Sequence, residues 1–191
     1  MKLIYVAFIF WLALMTSAQC QQTSKDFLDE GVALYGQSRY DEAIKAYDEA
    51  IRLDPNYAYA WTGKGVALIS QGKYDEAINC FDEAIKLDPN LAEAWTDKSL
   101  AFYGQGKYDE AIKACEEAIR LNPNYAYAWT NKGLALCGQS NYNEAIKAFD
   151  EAIRLDPNPA AAWHNKGVAF KRLGRTAEAN AAFAKAKELG V

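Results

Sequence analysis

The feature that most constrains this chain is its self-similarity at a spacing of 34 residues. Trp61, Trp95, Trp129 and Trp163 recur at that interval, as do Tyr40, Tyr74, Tyr108 and Tyr142, and Pro55, Pro89, Pro123 and Pro157. Chance alignment of three such series is negligible. A period of this length belongs to an array of small units, each unable to bury its apolar face without a neighbour. Framed on Ala58, the units run 24–57, 58–91, 92–125, 126–159 and 160–191, so a single repeat domain is expected over these residues.

Each unit reads as two helices. In the second, Trp61, Gly65 and Leu68 fall at helical spacing, the pattern breaks at Gln71-Gly72-Lys73, and Ala77, Ile78, Phe81, Ala84 and Ile85 resume it. Pro89 follows the second helix because proline cannot continue one. Asp75 and Glu76 fall in that helix's first turn, where the dipole favours carboxylates. Gly65 and Ala77 have small counterparts in other units, at Gly31, Gly133 and Gly167 and at Ala43, Ala111, Ala145 and Ala179. This predicts that the two helix backbones approach closely while Trp and Phe fill the flanking space.

Trp61, Gly65, Ala77, Phe81, Ala84 and Pro89 together resemble the tetratricopeptide repeat, and the likeness extends over Ser24 to Val191. Two departures stand out. Lys64, Lys98, Lys132 and Lys166 replace a usual Leu, and Leu34, Leu68 and Leu136 replace a usual Tyr. A lysine stem covers apolar surface with its ammonium in water, so neither departure threatens the fold. The resemblance implies an all-α fold, a right-handed superhelical α-solenoid of helix-turn-helix units. In that family the first helices line a concave groove that holds an extended peptide or a partner's helix.

Carried over position by position, the resemblance puts Tyr35, Tyr59, Thr62, Ile69, Thr96, Tyr103, Tyr127, Thr130, Asn131, His164 and Asn165 in this groove. Tyr59, Tyr103 and Tyr127 are the expected anchors, because tyrosine gives large contact area with a polar tip. Thr62, Thr96 and Thr130 are expected to hydrogen-bond a peptide backbone between them, while Val66 and Leu100 are expected to pack between helices. The carboxylate clamp that some family members close on chaperone C-termini is absent, since its places hold Leu28, Val32, Gly63, Glu93 and Asp97. An asparagine ladder is reduced to Asn131 and Asn165.

Composition narrows the function further. With 51% apolar and 24% charged residues the chain is expected to fold, and a net charge of -4 without a basic run argues against nucleic acid as a partner. One histidine and four cysteines, with neither CxxC nor HExxH, give no metal-site spacing, and no cofactor is implied. An enzyme would need His164 as base with Thr130 or Cys137 as nucleophile, yet nothing places an orienting carboxylate beside it. Cys80 and Cys115 occupy slots held elsewhere by Ala46 and Phe81, which reads as packing. Cysteines in successive hairpins should stand about a helix diameter apart, beyond disulfide reach.

At the N-terminus, Lys2 precedes thirteen apolar residues, Leu3 to Met15, and then Thr16, Ser17 and Ala18. This layout predicts a secretory signal over 1–18, cleaved near Ala18 or Cys20, and a secreted or extracytoplasmic protein. An uncleaved membrane anchor is the weaker reading, because a span needs about 20 apolar residues. Gln19 fits a lipidated Cys20 badly. At the other end, Asn180 and Lys187 replace recurrent isoleucines and Thr176 a recurrent tyrosine, as expected of a capping unit. The resulting expectation is a non-catalytic scaffold that binds a protein or peptide partner, with a monomer favoured over an oligomer. The alternative is a self-associating structural protein of the cell envelope.

Overall fold

A computed structural model describes residues 22–156 and 158–190 of the chain. The expected signal segment, Cys20, Pro157 and Val191 lie outside the described residues. Within them the chain forms ten helices and no strand: α1 (Ser24–Gly36), α2 (Tyr40–Leu53), α3 (Ala58–Ser70), α4 (Tyr74–Leu87), α5 (Ala92–Gly104), α6 (Tyr108–Leu121), α7 (Ala126–Gly138), α8 (Tyr142–Leu155), α9 (Ala160–Arg172) and α10 (Thr176–Glu188). Each odd-numbered helix packs on the even-numbered helix that follows it. The architecture is the all-α solenoid expected from the repeat.

The turn inside each hairpin has one residue in the left-handed region. This is Gly72, Gly106 and Gly174 at φ near 74°, and Ser38 and Ser140 at φ near 60°. That conformation stops the first helix, and it explains why glycine recurs there. Asp75 and Glu76 sit in the first turn of α4, and Asp109 and Glu110 in that of α6, where no side-chain cap is present and the carboxylates meet the exposed N–H groups.

In four of the five units the small residue of the first helix faces a ring. A Cβ added at Gly65 would stand 2.6 Å from Phe81, at Gly133 2.4 Å from Phe149, and at Gly167 2.7 Å from Phe183. The expectation of close backbone approach is therefore refined: an aromatic edge fills the space over the glycine. The third unit reverses the sizes, with Ser99 against Cys115, both fully buried. Around these pairs run columns of alanine without exposed surface, among them Ala43, Ala77 and Ala145, and Ala60, Ala94 and Ala128.

Successive units are joined by recurring polar links. Lys64 reaches Asp48 of the preceding unit at 2.6 Å, Lys98 reaches Asp82 at 2.5 Å, Lys132 reaches Glu116 at 2.8 Å and Lys166 reaches Asp150 at 2.5 Å. Each ammonium also lies over its own unit's Trp ring, from 4.9 to 5.9 Å from the centroid. The lysines that depart from the family pattern thus link units together, beyond covering apolar surface. Gln71, Gln105 and Gln139 donate to Asp41, Asp75 and Asp109 of the unit before. Trp61 and Trp129 donate their indole N–H to the carbonyls of Pro55 and Pro123, whereas the buried indole N–H of Trp95 has no partner among the described residues.

First helices touch the first helices of the next unit, whereas no two second helices touch among the described residues. The stack therefore curves toward the layer of α1, α3, α5, α7 and α9. Asn180 and Lys187 are exposed on α10, while the matching Ile44, Ile78 and Ile112 are partly buried and Ile146 is buried.

Candidate binding groove

The inner layer exposes apolar side chains that the rest of the surface does not. Six large hydrophobic residues are exposed among the described residues, and five of them, Val32, Tyr59, Tyr103, Tyr127 and Val168, lie on first helices. Only Leu53 lies elsewhere. Exposure gathered on one face makes this layer the candidate interaction surface. Tyr59 and Tyr127 are the most exposed of the tyrosines among these residues, at 54% and 68%, although each ring touches another tyrosine. Tyr59 meets Tyr57 edge-on at 6.4 Å between centroids, and Tyr127 meets Tyr125 at 5.8 Å. These two pairs come from a sequence that occurs twice, Tyr-Ala-Tyr-Ala-Trp-Thr, over 57–62 and 125–130.

The threonines behave differently from the expectation. Thr62 and Thr96 are buried at 8% and 2% exposure, and Thr130 is partly buried. Their hydroxyls donate to the carbonyls of Ala58, Ala92 and Ala126, one turn back in the same helix. A helical threonine satisfies itself in this way when its hydroxyl has little access to water. Asn131 donates to the carbonyl of Thr96 at 3.4 Å and so joins α7 to α5, while Asn165 is partly buried. Tyr35 meets the Ser70 hydroxyl at 3.1 Å and its ring lies against Tyr40, which ties the first two units together. Ile69 packs on the core cluster of Leu68 and Phe81, as does Val66.

Gly63 interrupts the line of polar residues at its position for a local reason. The first unit carries Tyr47 where others carry Phe or Cys, and a Cβ at Gly63 would stand 2.7 Å from that ring. The next unit places Asp97 at the corresponding position. Burial, together with the nearby Glu93 carboxylate, pushes Asp97 up to about 7. No cation pairs with Asp97 or Glu93 among the described residues, because Lys98 and Lys132 are engaged on the outer side with Asp82 and Glu116. Tyr125 lies close enough to both acids that they, after burial, help push its phenol up to about 12. Sequence reasoning named Asp97 only as a place where the carboxylate clamp is missing, and it missed Tyr125; the repeated Tyr-Ala-Tyr segment was the available signal.

His164 is exposed and tilts against Phe183 at 5.4 Å. The depression beside it is lined by Val168, Lys171 and Arg172, so no carboxylate there orients the imidazole. Cys80, Cys115 and Cys137 are free thiols, each pushed up to about 11 chiefly by burial, which suits packing rather than nucleophilic chemistry. No group of His, Cys, Asp and Glu suited to a metal ion occurs among the described residues, and no helix there is long and apolar enough to cross a membrane.

Comparison with known families places this geometry. Models of the tetratricopeptide repeat match residues 28–92, 67–126 and 96–137, with further matches over 126–159 and 148–179. The chain belongs to the tetratricopeptide repeat family. Among solved structures it is similar to MamA, at 29% identity over 83% of this chain and 93% of that one, with a TM-score of 0.68. It is also similar to MamA from Desulfovibrio magneticus RS-1, at 26% identity over 87% and 94% of the two chains, with a TM-score of 0.71. TTC0263, a thermophilic tetratricopeptide protein of Thermus thermophilus, shares the fold at 22% identity over 88% and 92% of the chains, with a TM-score of 0.79. No curated protein matches the chain. Membership of this repeat family supports a protein interaction module rather than an enzyme.

Proposed function

We propose that this tetratricopeptide protein is an exported scaffold that holds an extended segment of a partner protein along its inner layer. The observation that carries this reading is the gathering of five of the six exposed large hydrophobic side chains on first helices. Tyr59 and Tyr127 serve as anchors at the starts of α3 and α7 and Tyr103 as one at the end of α5, on successive first helices, with Val32 and Val168 adding apolar surface on the outer units. The threonines stay out of the contact, since their hydroxyls are bonded within their own helices. Hydrogen bonds to the partner's backbone fall instead to exposed groups such as the tyrosine hydroxyls.

Exposed anchors and packed rings respond differently to truncation. Tyr59→Ala and Tyr127→Ala should each weaken binding of a partner recovered by pull-down about tenfold, with melting temperature unchanged within a degree or two. Tyr47, at 2% exposure, is the control, because its truncation should lower the melting temperature directly. Unchanged affinity in both exposed variants would remove the groove from the function.

Export rests on Lys2, the apolar run from Leu3 to Met15 and the small residues that follow it. Intact-mass measurement on protein from its native cell should give a chain that starts near Ala18 or Cys20. A mature chain retaining 1–18 would overturn this part of the proposal.

A further inference from the structure

The apolar strip has one stretch that is not apolar, and its chemistry points to what the partner brings there. Tyr125 and Tyr127 form a tilted pair at the start of α7, with centroids 5.8 Å apart and the Tyr127 ring largely in solvent. On the side of the third unit, the Tyr125 hydroxyl lies within electrostatic reach of Glu93 and Asp97. On the side of the fifth, a cleft of about 140 Å³ is lined by Tyr127, Thr130 and Asp156. None of these three carboxylates forms an ion pair among the described residues, although Lys64, Lys98, Lys132 and Lys166 are each paired across a unit boundary.

We infer that the Tyr125–Tyr127 pair, between Glu93 and Asp97 on one side and Asp156 on the other, seats a lysine or arginine side chain of the extended partner segment. The inference rests on the groove reading above and narrows it to a basic ligand. A cation over the face of an exposed tyrosine is attracted by the ring, and a carboxylate beside the ring adds charge complementarity. Asp97 is partly buried, with no hydrogen bond or cation of its own among the described residues, so its charge is the costliest of the three to hold until a cation arrives. A bound ammonium or guanidinium would give that carboxylate the partner the folded chain withholds. Tyr59, which holds the same helical position two units earlier, would meet an apolar part of the same segment.

Four fluorescein-labelled peptides, Gly-Ser-Ala-Leu-Xaa-Leu-Ala-Ser-Gly with Xaa as Lys, Arg, Gln or Glu, test this by fluorescence anisotropy at low salt. The Lys and Arg peptides should bind at least tenfold tighter than the Gln peptide, and the Glu peptide should bind weakest. Asp97→Asn should abolish most of that preference and leave the Gln peptide unaffected, whereas Tyr59→Ala should weaken all four in parallel. Equal binding of the four peptides, with loss on Tyr59→Ala, overturns the basic seat while the groove reading stands. Binding indifferent to Tyr59→Ala, Tyr127→Ala and Asp97→Asn overturns both, and no saturable binding of the Lys peptide at millimolar concentration overturns the seat.

Discussion

Replacing Phe81 by Cys should destabilise the array by about 3 kcal/mol, and adding Gly65→Ser should return at least about 1 kcal/mol of that loss. Phe81 is fully buried, and its ring edge lies over Gly65 in the space a Cβ would occupy. Shrinking the ring to a thiol leaves a cavity bounded by helices that their neighbours hold in place, so the site collapses only in part. The Gly65→Ser change alone should also destabilise, because the new Cβ would stand 2.6 Å from the ring. In the third unit the chain already contains the combined solution. Ser99 lies against Cys115, both are fully buried, and the Ser99 hydroxyl donates to the carbonyl of Thr96 at 2.6 Å. Urea unfolding of the two single variants and the double variant measures the coupling. If the single effects simply add, the two positions do not share one packing site.

Asp97→Asn should stabilise the protein by roughly 2 to 3 kcal/mol at pH 8 and have almost no effect near pH 3.5. The sign follows from where the carboxyl prefers its proton. Unfolded, Asp97 titrates at the ordinary 3.8; folded, burial and Glu93 push it up to about 7. Between those values the folded chain holds a proton that the unfolded chain has released, so stability falls as pH rises through about 4 to 7. Above that window the cost is constant, and below it both states are protonated. The magnitude is set below the full linkage value because Asp97 keeps some contact with solvent. The difference in urea midpoint between parent and variant, followed from pH 3.5 to 8, isolates this carboxyl from all other titrating groups. A difference that does not change with pH would show that Asp97 titrates normally and would also remove one support for the basic seat.

The groups behind these two predictions were legible in the sequence to very different degrees. Phe81 and Gly65 stand sixteen residues apart in a pattern repeated at Phe149 and Gly133, so their recurrence follows from periodicity, while the contact of ring with glycine was decided by the fold. The helix boundaries followed in the same way, because Gly72 and Pro89 act through their own backbone chemistry: glycine admits the left-handed turn, and proline cannot continue a helix. Repetition also turned the family resemblance into a prediction of the whole fold, since each unit has one way to bury its apolar stripe and the next unit copies it.

What the sequence by itself determined was therefore most of what acts within one unit: two helices, their turn, and the recurrence of a small residue and a ring at fixed places. What only the tertiary structure decided was what acts between units. Lys64 meets Asp48 and Lys132 meets Glu116 across a unit boundary, where the distance along the chain does not determine the distance in space. Thr96 and Tyr127 belong to equivalent helices of neighbouring units and both were expected to bind, yet one is 2% exposed and the other 68%. The physical reason is that solvent access on the inner layer is set by how closely successive first helices approach and which side chains fill the seam. The same seam leaves Asp97 without a cation among the described residues, a consequence that no single 34-residue unit contains.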